Sequence, residues 1–257
     1  MCQLLAMNCN TPTDICFSFD GFAQRGGLTD EHSDGWGISF FEESACRSFH
    51  DTLPAIESPI AQLVKNYPIK SLNVIAHIRQ ANIGAVELKN TQPYLRELWG
   101  QQWVYAHNGD LWGYKFSGGV PTQPIGDSDS EMAFCDLLNR FRELSPTHEP
   151  ELKSIYDCLK SFCEEAAKFG TFNLVLSNGK YIFAHCTTHL CYIIRQAPFS
   201  EAHLSDKDLS INFSAVTTKK DRVAIIATEP LTDNEEWTQF EKGQLLVFKD
   251  GKVLDLE

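Results

Sequence analysis

The chain has 257 residues, of which 43% are hydrophobic, and a formal net charge of −12. This length and apolar fraction suffice for a full-sized hydrophobic core, and we expect one domain over residues 2–257. The chain does not open with a basic segment followed by an apolar run, and no stretch approaches the ~20 apolar residues that span a bilayer. We therefore expect a cytoplasmic protein without membrane contact and, because its acidic charge repels phosphate backbones, without a nucleic-acid partner.

The predicted elements of the first half are short strands and helices. CQLLAMN, residues 2–8, is a predicted strand, and TDICFSFDGFAQRGG contains a predicted helix that Thr13 caps and Gly26-Gly27 closes. GWGISFFEE and ACRSFHD alternate between apolar and polar residues on either side of a turn, which predicts a hairpin. SPIAQLVKNY has helical spacing behind a capping Ser58.

Two further strands of this half end in polar residues. SLNVIAHIRQA, residues 71–81, predicts a buried strand, and QQWVYAHNGDL, residues 101–111, repeats that pattern. A strand that ends in polar residues can deliver those side chains to a site. We therefore expect a functional site where these two strands end.

The second half begins with helices and returns to strands. DSDSEMAFCDLLNRFREL and EPELKSIYDCLKSFCEEAAKFG carry apolar residues at i, i+3, i+4 and i+7, which predicts two helices. Asn178-Gly179 and Asp250-Gly251 indicate hairpin turns, with RVAIIATEPL as a strand between the two hairpins. This order predicts an α+β fold, a four-layer αββα sandwich of two antiparallel sheets with helices outside them.

Further expectations concern the cysteines, a possible metal site and an acidic pair. Nine cysteines fit a reducing compartment, so we expect no structural disulfide. HCTTHLC, residues 185–191, matches neither paired CxxC nor HExxH spacing, so we expect no metal site and no cofactor. Glu235-Glu236 is interpreted as a solvated loop. Six cysteines are expected to be core thiols, namely Cys9, Cys16, Cys46, Cys135, Cys158 and Cys163.

Cys2 directly follows the initiator methionine. If Met1 is removed, Cys2 gains a free α-amino group with a pKa of roughly 7.7 to 8.0 beside a thiol with a pKa of about 8.5. One residue then supplies both a nucleophile and a base that accepts its proton. Cys2 can act as a catalytic nucleophile only if other parts of the sequence supply the remaining groups of an active site.

Three other segments offer such groups. In HIRQAN, Arg79 follows a buried strand, where its planar guanidinium suits a small carboxylate or, alternatively, a surface salt bridge. In AHNGDL, the Asn108 amide and the Gly109 N–H form the donor pair that an oxyanion requires, although Asn-Gly is also a common turn. In GDSDSE, Asp129 opens a helix, where acidic residues are favoured in any case.

The order Cys2, Arg79, Asn108-Gly109, Asp129 resembles the glutaminase domain of class II glutamine amidotransferases, which are N-terminal-nucleophile hydrolases. RGGLTDEHSDGWGISFF and ATEPLT also resemble segments of that family, and the likeness runs from Cys2 to about Phe248. It is strongest to the family's stand-alone bacterial branch.

The resemblance implies roles for these residues. Cys2 would attack the side-chain amide of glutamine and form a γ-glutamyl thioester, while Asn108 and Gly109 hold the oxyanion. Arg79 would bind the substrate α-carboxylate and Asp129 its α-ammonium group. The backbone from His77 to Gln80 would close one wall of the substrate pocket.

The sequence also departs from the family pattern. Larger relatives usually have an aromatic residue beside the arginine and a His-Pro step in the next loop, where this chain has Gln80 and Gln92-Pro93. We therefore do not infer lid closure or ammonia retention for this protein from the resemblance. Larger relatives also have a second domain for the ammonia acceptor, whereas the glutaminase-like region takes up this whole sequence.

Three functions follow from these observations. The first is a glutaminase-type amide hydrolase that supplies ammonia to a separate synthetase subunit. The second is a hydrolase of γ-glutamyl peptides or γ-glutamyl thiol compounds, since Arg79 and Asp129 would contact only the γ-glutamyl head. The third is a non-catalytic subunit that binds a γ-glutamyl compound, which retention of Met1 would favour.

Overall fold

The computed structural model describes residues 2–82 and 84–256. In chain order its elements are β1 Gln3–Thr13, α1 Cys16–Gln24, β2 Trp36–Glu42, β3 Ala45–Asp51, α2 Pro59–Asn66, β4 Ser71–Ile78, a 3-10 turn Leu88–Asn90, β5 Tyr94–Leu98, β6 Gln101–Asn108, α3 Asp129–Leu144 and α4 Leu152–Ala166. They continue with β7 Asn173–Ser177, β8 Ile182–His185, β9 Cys191–Gln196, β10 Glu201–His203, β11 Ser210–Asn212, a 3-10 turn Phe213–Ala215, β12 Arg222–Ala227, β13 Thr238–Gln239, β14 Leu245–Lys249 and β15 Lys252–Leu254.

The strands form two antiparallel sheets and a short ribbon. The first sheet has the order β13-β9-β12-β1-β4-β2-β3, and the second has the order β15-β14-β8-β7-β6-β5. Strands β10 and β11 pair with each other. The strands that end at the predicted site, β4 and β6, therefore belong to different sheets.

Three apolar clusters separate four layers. One lies between the second sheet and helices α3 and α4, which contribute Phe134 and Leu159. Another lies between the first sheet and helices α1 and α2, which contribute Phe19 and Val64. The third, which includes Ala6, contains residues of both sheets and of neither helix pair. The predicted α+β, four-layer αββα arrangement is confirmed.

The first seven residues of β1, residues 3–9, are buried on both faces of the sheet, which explains the apolar run at its start. Leu5 and Met7 point to the helix side of the first sheet, and Leu4 and Ala6 point to the layer between the sheets. Successive side chains of a strand alternate between faces. Cys2, directly before the strand, therefore falls on the face that looks at the second sheet.

Most predicted elements are present where expected. The Ser58 hydroxyl caps α2 by accepting the Ala61 N–H at 3.2 Å, and Asp250-Gly251 forms a two-residue turn with φ of 52° and 69°. The predicted Thr13 cap is wrong, because Thr13 still pairs with Ser71 as the last residue of β1. Strand pairing fixes its extended backbone, and α1 begins only at Cys16.

Candidate active site

The thiol of Cys2 lies against the backbone that follows β4. Its Sγ atom accepts the Gln80 N–H at 3.3 Å and lies 3.4 Å from the Gln80 carbonyl oxygen. Burial raises the pKa of the thiol to about 11, while the Gln80 backbone contact and the charge of Arg79 act to lower it. The thiol is therefore protonated at neutral pH, and its reaction as a nucleophile requires a base.

Arg79 lies directly after β4 and is only 3% exposed. Its guanidinium donates to the carbonyl oxygens of Gly84 and Ala85 at 3.0 and 2.9 Å. Just before β2, the Gly35 carbonyl accepts the Arg79 N–H at 2.8 Å, and the Asp34 N–H donates to the Arg79 carbonyl at 3.1 Å. Arg79 is thus held inside the fold beside its own loop.

Asp129 is the first residue of α3 and is 8% exposed. One carboxylate oxygen accepts the Leu111 N–H at 2.7 Å, and the other accepts the Ser130 N–H at 2.7 Å. The carboxylate therefore joins the helix N-terminus to the loop after β6. Burial raises the pKa of Tyr94, the charge of Arg79 acts to lower it and the charge of Asp129 acts to raise it, so both charged groups lie near this phenol.

Asn108 ends β6 and is 0% exposed. Neither its amide nitrogen nor its amide oxygen makes a hydrogen bond to any described residue. Ala106, two residues earlier, lies in the layer between the sheets, so alternation places the Asn108 side chain in the same layer that Cys2 faces. A buried amide without a protein partner is unfavourable for stability, and this site is therefore a candidate for binding an external group.

Gly109 continues the chain with a φ of +153°. A Cβ atom here would lie 1.9 Å from the Thr171 carbonyl oxygen and 3.0 Å from the His107 ring. No side chain fits at this position without moving the backbone. The close approach fixes the direction of the Gly109 backbone beside the Asn108 amide.

His107 supports the same region from the helix side of the second sheet. Its Nε2 lies 3.0 Å from the Thr171 carbonyl oxygen, and its Nδ1 lies 2.8 Å from the Ser130 hydroxyl. A carbonyl only accepts, so Nε2 carries the proton and Nδ1 accepts from Ser130. His107 thereby links the close approach at Gly109 to the first turn of α3, which contains Asp129.

The loops after β4 and β6 meet at one edge of the sandwich. The Asn82 amide donates to both carboxylate oxygens of Asp110, at 3.2 and 2.9 Å. The charges of Arg79 and Asp110 both act on the pKa of Cys2. The sequence-predicted residues Cys2, Arg79, Asn108, Gly109 and Asp129 are therefore brought to one region, together with His77 and Gln80.

Three residues that brace this region were not singled out from the sequence. Asn90 exchanges hydrogen bonds with Asp127, at 2.6 and 3.1 Å, and donates to the Ala85 carbonyl at 3.1 Å. The Asp34 carboxylate accepts the Ala81 N–H at 2.8 Å. The Asn90–Asp127 and Asp34–Ala81 contacts join residues 37 and 47 positions apart, and no local cap or turn pattern reveals them.

Gln92 has a structural role of its own in this region. Its buried side chain donates to the His107 carbonyl at 3.2 Å and accepts the His107 N–H at 2.6 Å. The side chain thus pairs with β6 in the way a neighbouring strand would. It holds the strand end that delivers Asn108.

Other expectations have mixed outcomes. All nine cysteines are free, but Cys16, Cys46 and Cys158 are only partly buried, so they are not the core thiols predicted. The solvated-loop interpretation of Glu235 is wrong, because its carboxylate binds the buried Arg195 guanidinium through two hydrogen bonds of 2.9 and 2.6 Å.

Two features are absent from the described part of the chain, residues 2–82 and 84–256. No group of three or more His, Cys, Asp or Glu residues within it is arranged to hold a metal ion. None of its helices is long and apolar enough to cross a membrane.

Comparison with known proteins assigns the family. The family described as glutamine amidotransferases class-II matches residues 1–257. The chain is 50% identical over 252 residues to the Escherichia coli protein named "Putative glutamine amidotransferase YafJ", with 98% of this chain and 99% of that protein covered. It is 51% identical over 258 residues to a Haemophilus influenzae protein of similar name, with 99% of this chain and 86% of that protein covered.

Solved structures agree with this assignment. A crystal structure of a predicted glutamine amidotransferase from Pseudomonas aeruginosa is similar with a TM-score of 0.79 and 43% identity, covering 98% of this chain and 99% of that one. The phosphoribosylpyrophosphate amidotransferase from B. subtilis is similar with a TM-score of 0.59 and 14% identity over 99% of this chain and 49% of that one. The second likeness, at this low identity, shows a shared fold alone. The chain belongs to the class II glutamine amidotransferases.

Proposed function

We propose that this protein hydrolyses the side-chain amide of glutamine, or of a γ-glutamyl compound, with Cys2 as nucleophile after removal of Met1. The observation that carries the proposal is the Asn108 amide, fully buried and without a described hydrogen-bond partner on the layer that Cys2 faces. Such a group is expected to be satisfied by a bound substrate or intermediate.

The base in this mechanism is the α-amino group of Cys2. A thiol with a pKa of about 11 is ionised in only about one molecule in ten thousand at pH 7. An α-amine, with a pKa of roughly 7.7 to 8.0, is unprotonated in about one molecule in ten at pH 7 and belongs to the same residue. It accepts the thiol proton as the Sγ–C bond forms.

The oxyanion is held by the Asn108 Nδ2 and the Gly109 N–H. The tetrahedral intermediate collapses when the C–N bond breaks, and the leaving amine takes the proton held by the α-ammonium group. A water molecule then gives its proton to the α-amine and attacks the γ-glutamyl thioester. Glutamate leaves, and the thiol is restored.

The substrate head is bound by charge. Arg79 already binds two carbonyl oxygens, and a carboxylate is a stronger partner for a guanidinium than a carbonyl. Asp129 already accepts two backbone N–H groups and has further lone pairs for an ammonium group. The backbone from His77 to Gln80 closes the wall behind Cys2.

These contacts specify the γ-glutamyl head and leave the leaving group open. Glutamine with transfer of ammonia to a synthetase subunit, γ-glutamyl peptides and γ-glutamyl thiol compounds all present the same head. Glutamate release from each compound by the purified protein therefore identifies the substrate. Turnover of none of them would overturn the proposal and favour a binding subunit.

The roles of Arg79 and Asp129 are tested by matched substrates. An α-methyl ester should react poorly with wild type and suffer little further loss with Arg79→Ala, and an N-acetyl substrate should behave likewise with Asp129→Ala. The loss of kcat/KM from one missing charge should be about 2 to 5 kcal/mol, whereas a surface pair contributes under about 1 kcal/mol. Equal slowing of every substrate by each substitution would contradict head-group recognition.

A further inference from the structure

His77 is a buried imidazole whose ring nitrogens lack well-formed hydrogen bonds to described residues. It is 0% exposed, and neither ring nitrogen makes a hydrogen bond to any residue in the described ranges. On β4 it lies between Leu4 of β1 and Gly37 of β2. A leucine would fill such a position without burying two polar atoms, so the retention of a histidine requires a reason.

The side chain of His77 lies in the same layer as that of Asn108. Ile75 lies in the cluster between the sheets, while Ala76 and Ile78 lie on the helix side of the first sheet. Alternation therefore places His77 between the sheets, at the end of β4. The His107 backbone, directly before Asn108, makes a weak contact with the His77 ring that acts to raise its pKa, without the geometry of a full hydrogen bond.

The protonation state of His77 limits what it can do. Burial, together with the charges of His107 and Arg79, lowers the pKa of His77 to about 3. At neutral pH the ring is uncharged, with one N–H donor and one acceptor nitrogen. A group with this pKa is a poor base near pH 7, so His77 does not compete with the α-amine for the thiol proton.

The Asn108 amide has two chemically different ends, and only one is useful for catalysis. The Nδ2 end stabilises an oxyanion, whereas the Oδ1 end would repel it. An amide with no partner on either end has nothing to fix its orientation. A donor on the Oδ1 side would turn the Nδ2 end toward Cys2.

We propose that His77 is a positioning residue for Asn108, whose Oδ1 accepts the His77 N–H through one bridging water molecule. This inference rests on the proposed function of Asn108 and adds what orients it. His77 itself touches no reacting atom. Its effect on the rate passes entirely through Asn108.

The kinetic test is a double-mutant cycle with His77→Leu and Asn108→Ala. His77→Leu should lower kcat by about 10- to 100-fold, less than Asn108→Ala, while KM changes by less than about threefold. In the Asn108→Ala background, the second substitution should lower kcat by less than about twofold. An equal loss in both backgrounds, or a loss carried by KM, would overturn the proposal.

Two further variants separate positioning from packing. His77→Gln keeps an N–H donor and should recover most of the rate lost in His77→Leu. His185→Leu removes another buried histidine, which contacts only the Phe172 carbonyl among its described hydrogen-bond partners, and should leave kcat within about twofold. Equal rates for His77→Gln and His77→Leu would contradict an orienting hydrogen bond.

A spectroscopic readout is independent of turnover and of the folding of the His77 variants. In ¹⁵N NMR spectra, the ring nitrogens of His77 should show one fixed neutral tautomer from about pH 5 to pH 8. Asn108→Ala should shift those signals and leave the signals of His185 in place. Unchanged His77 signals would overturn the contact even in an active enzyme, whereas shifted signals in an inactive protein would overturn the proposed function alone.

Discussion

Replacing Asn108 by leucine should remove activity without lowering stability. Leucine has a similar size and no polar atoms. Asn108 is fully buried, and its amide nitrogen and oxygen both lack described hydrogen-bond partners. The substitution therefore removes an oxyanion donor and, at the same time, two polar atoms whose burial destabilises the fold.

The expected loss of activity and the expected unchanged or higher stability are both large enough to measure. Loss of one oxyanion donor should lower kcat by about 100- to 1000-fold, or roughly 2.7–4 kcal/mol of transition-state stabilisation. Removal of an unsatisfied buried polar group should leave the free energy of unfolding unchanged or raise it by up to about 3 kcal/mol. For a chain of this size, each 1 kcal/mol shifts Tm by about 2–4 °C.

The matched control is Asn173→Leu on the neighbouring strand. Asn173 is equally buried and faces Asn108 in register, but its amide donates to the Asn108 carbonyl and to the Thr188 hydroxyl and accepts two backbone N–H groups. Asn173→Leu should therefore lower Tm, because each buried group left unpaired destabilises by about 1–3 kcal/mol. Urea unfolding and a glutamate-release assay compare the two variants. An equal loss of stability in both, or an activity loss below about tenfold for Asn108→Leu, would refute the reasoning.

Three other predictions address the nucleophile, the backbone and the pH dependence. One extra residue before Cys2 should abolish turnover in the glutamate-release assay, because it blocks the α-amine, and retained activity would contradict that base. Gly109→Ala should lower Tm and activity together, because its Cβ would lie 1.9 Å from the Thr171 carbonyl oxygen, and a wild-type Tm would contradict the close approach. The pKa of His77 is lowered from 6.5 to about 3, so its contribution to stability is complete above pH 6.5 and falls by about 1.4 kcal/mol per unit as pH drops toward 3. His77→Leu should flatten that fall in urea unfolding between about pH 6 and pH 4, and an unchanged slope would show that His77 is not held neutral.

The parts of the fold that local chemistry determines could be predicted from the sequence. Asp250-Gly251 supplies two residues with positive φ for a tight turn, and Ser58 supplies a helix cap. Thr13 shows the limit of such local rules, because pairing with a distant strand keeps it extended. Strands β5, β9, β10, β11 and β13 were not predicted, since short strands with mixed patterns carry too little local signal.

The candidate site likewise contains residues that the local sequence predicts and residues that it does not. Arg79 and Asn108 could be found because each follows a strand that its apolar residues make recognisable. The side chains of Asn90 and Gln92, which hold these loops, bind backbone groups 37 and 15 residues away that only the folded chain brings near. Glu235 was misinterpreted for the same reason, because its partner Arg195 lies 40 residues away in sequence.

The central claim is that the mature chain begins at Cys2 and that its thiol carries the γ-glutamyl group. The most direct test is the intact mass of the purified protein before and after acid quenching of a reaction with glutamine or a γ-glutamyl compound. We expect a chain without Met1 that gains the mass of one γ-glutamyl group when the reaction is quenched. The Cys2→Ser variant should not form this γ-glutamyl thioester. A fully active chain that retains Met1, or a γ-glutamyl group mapped to another cysteine, would contradict the central claim.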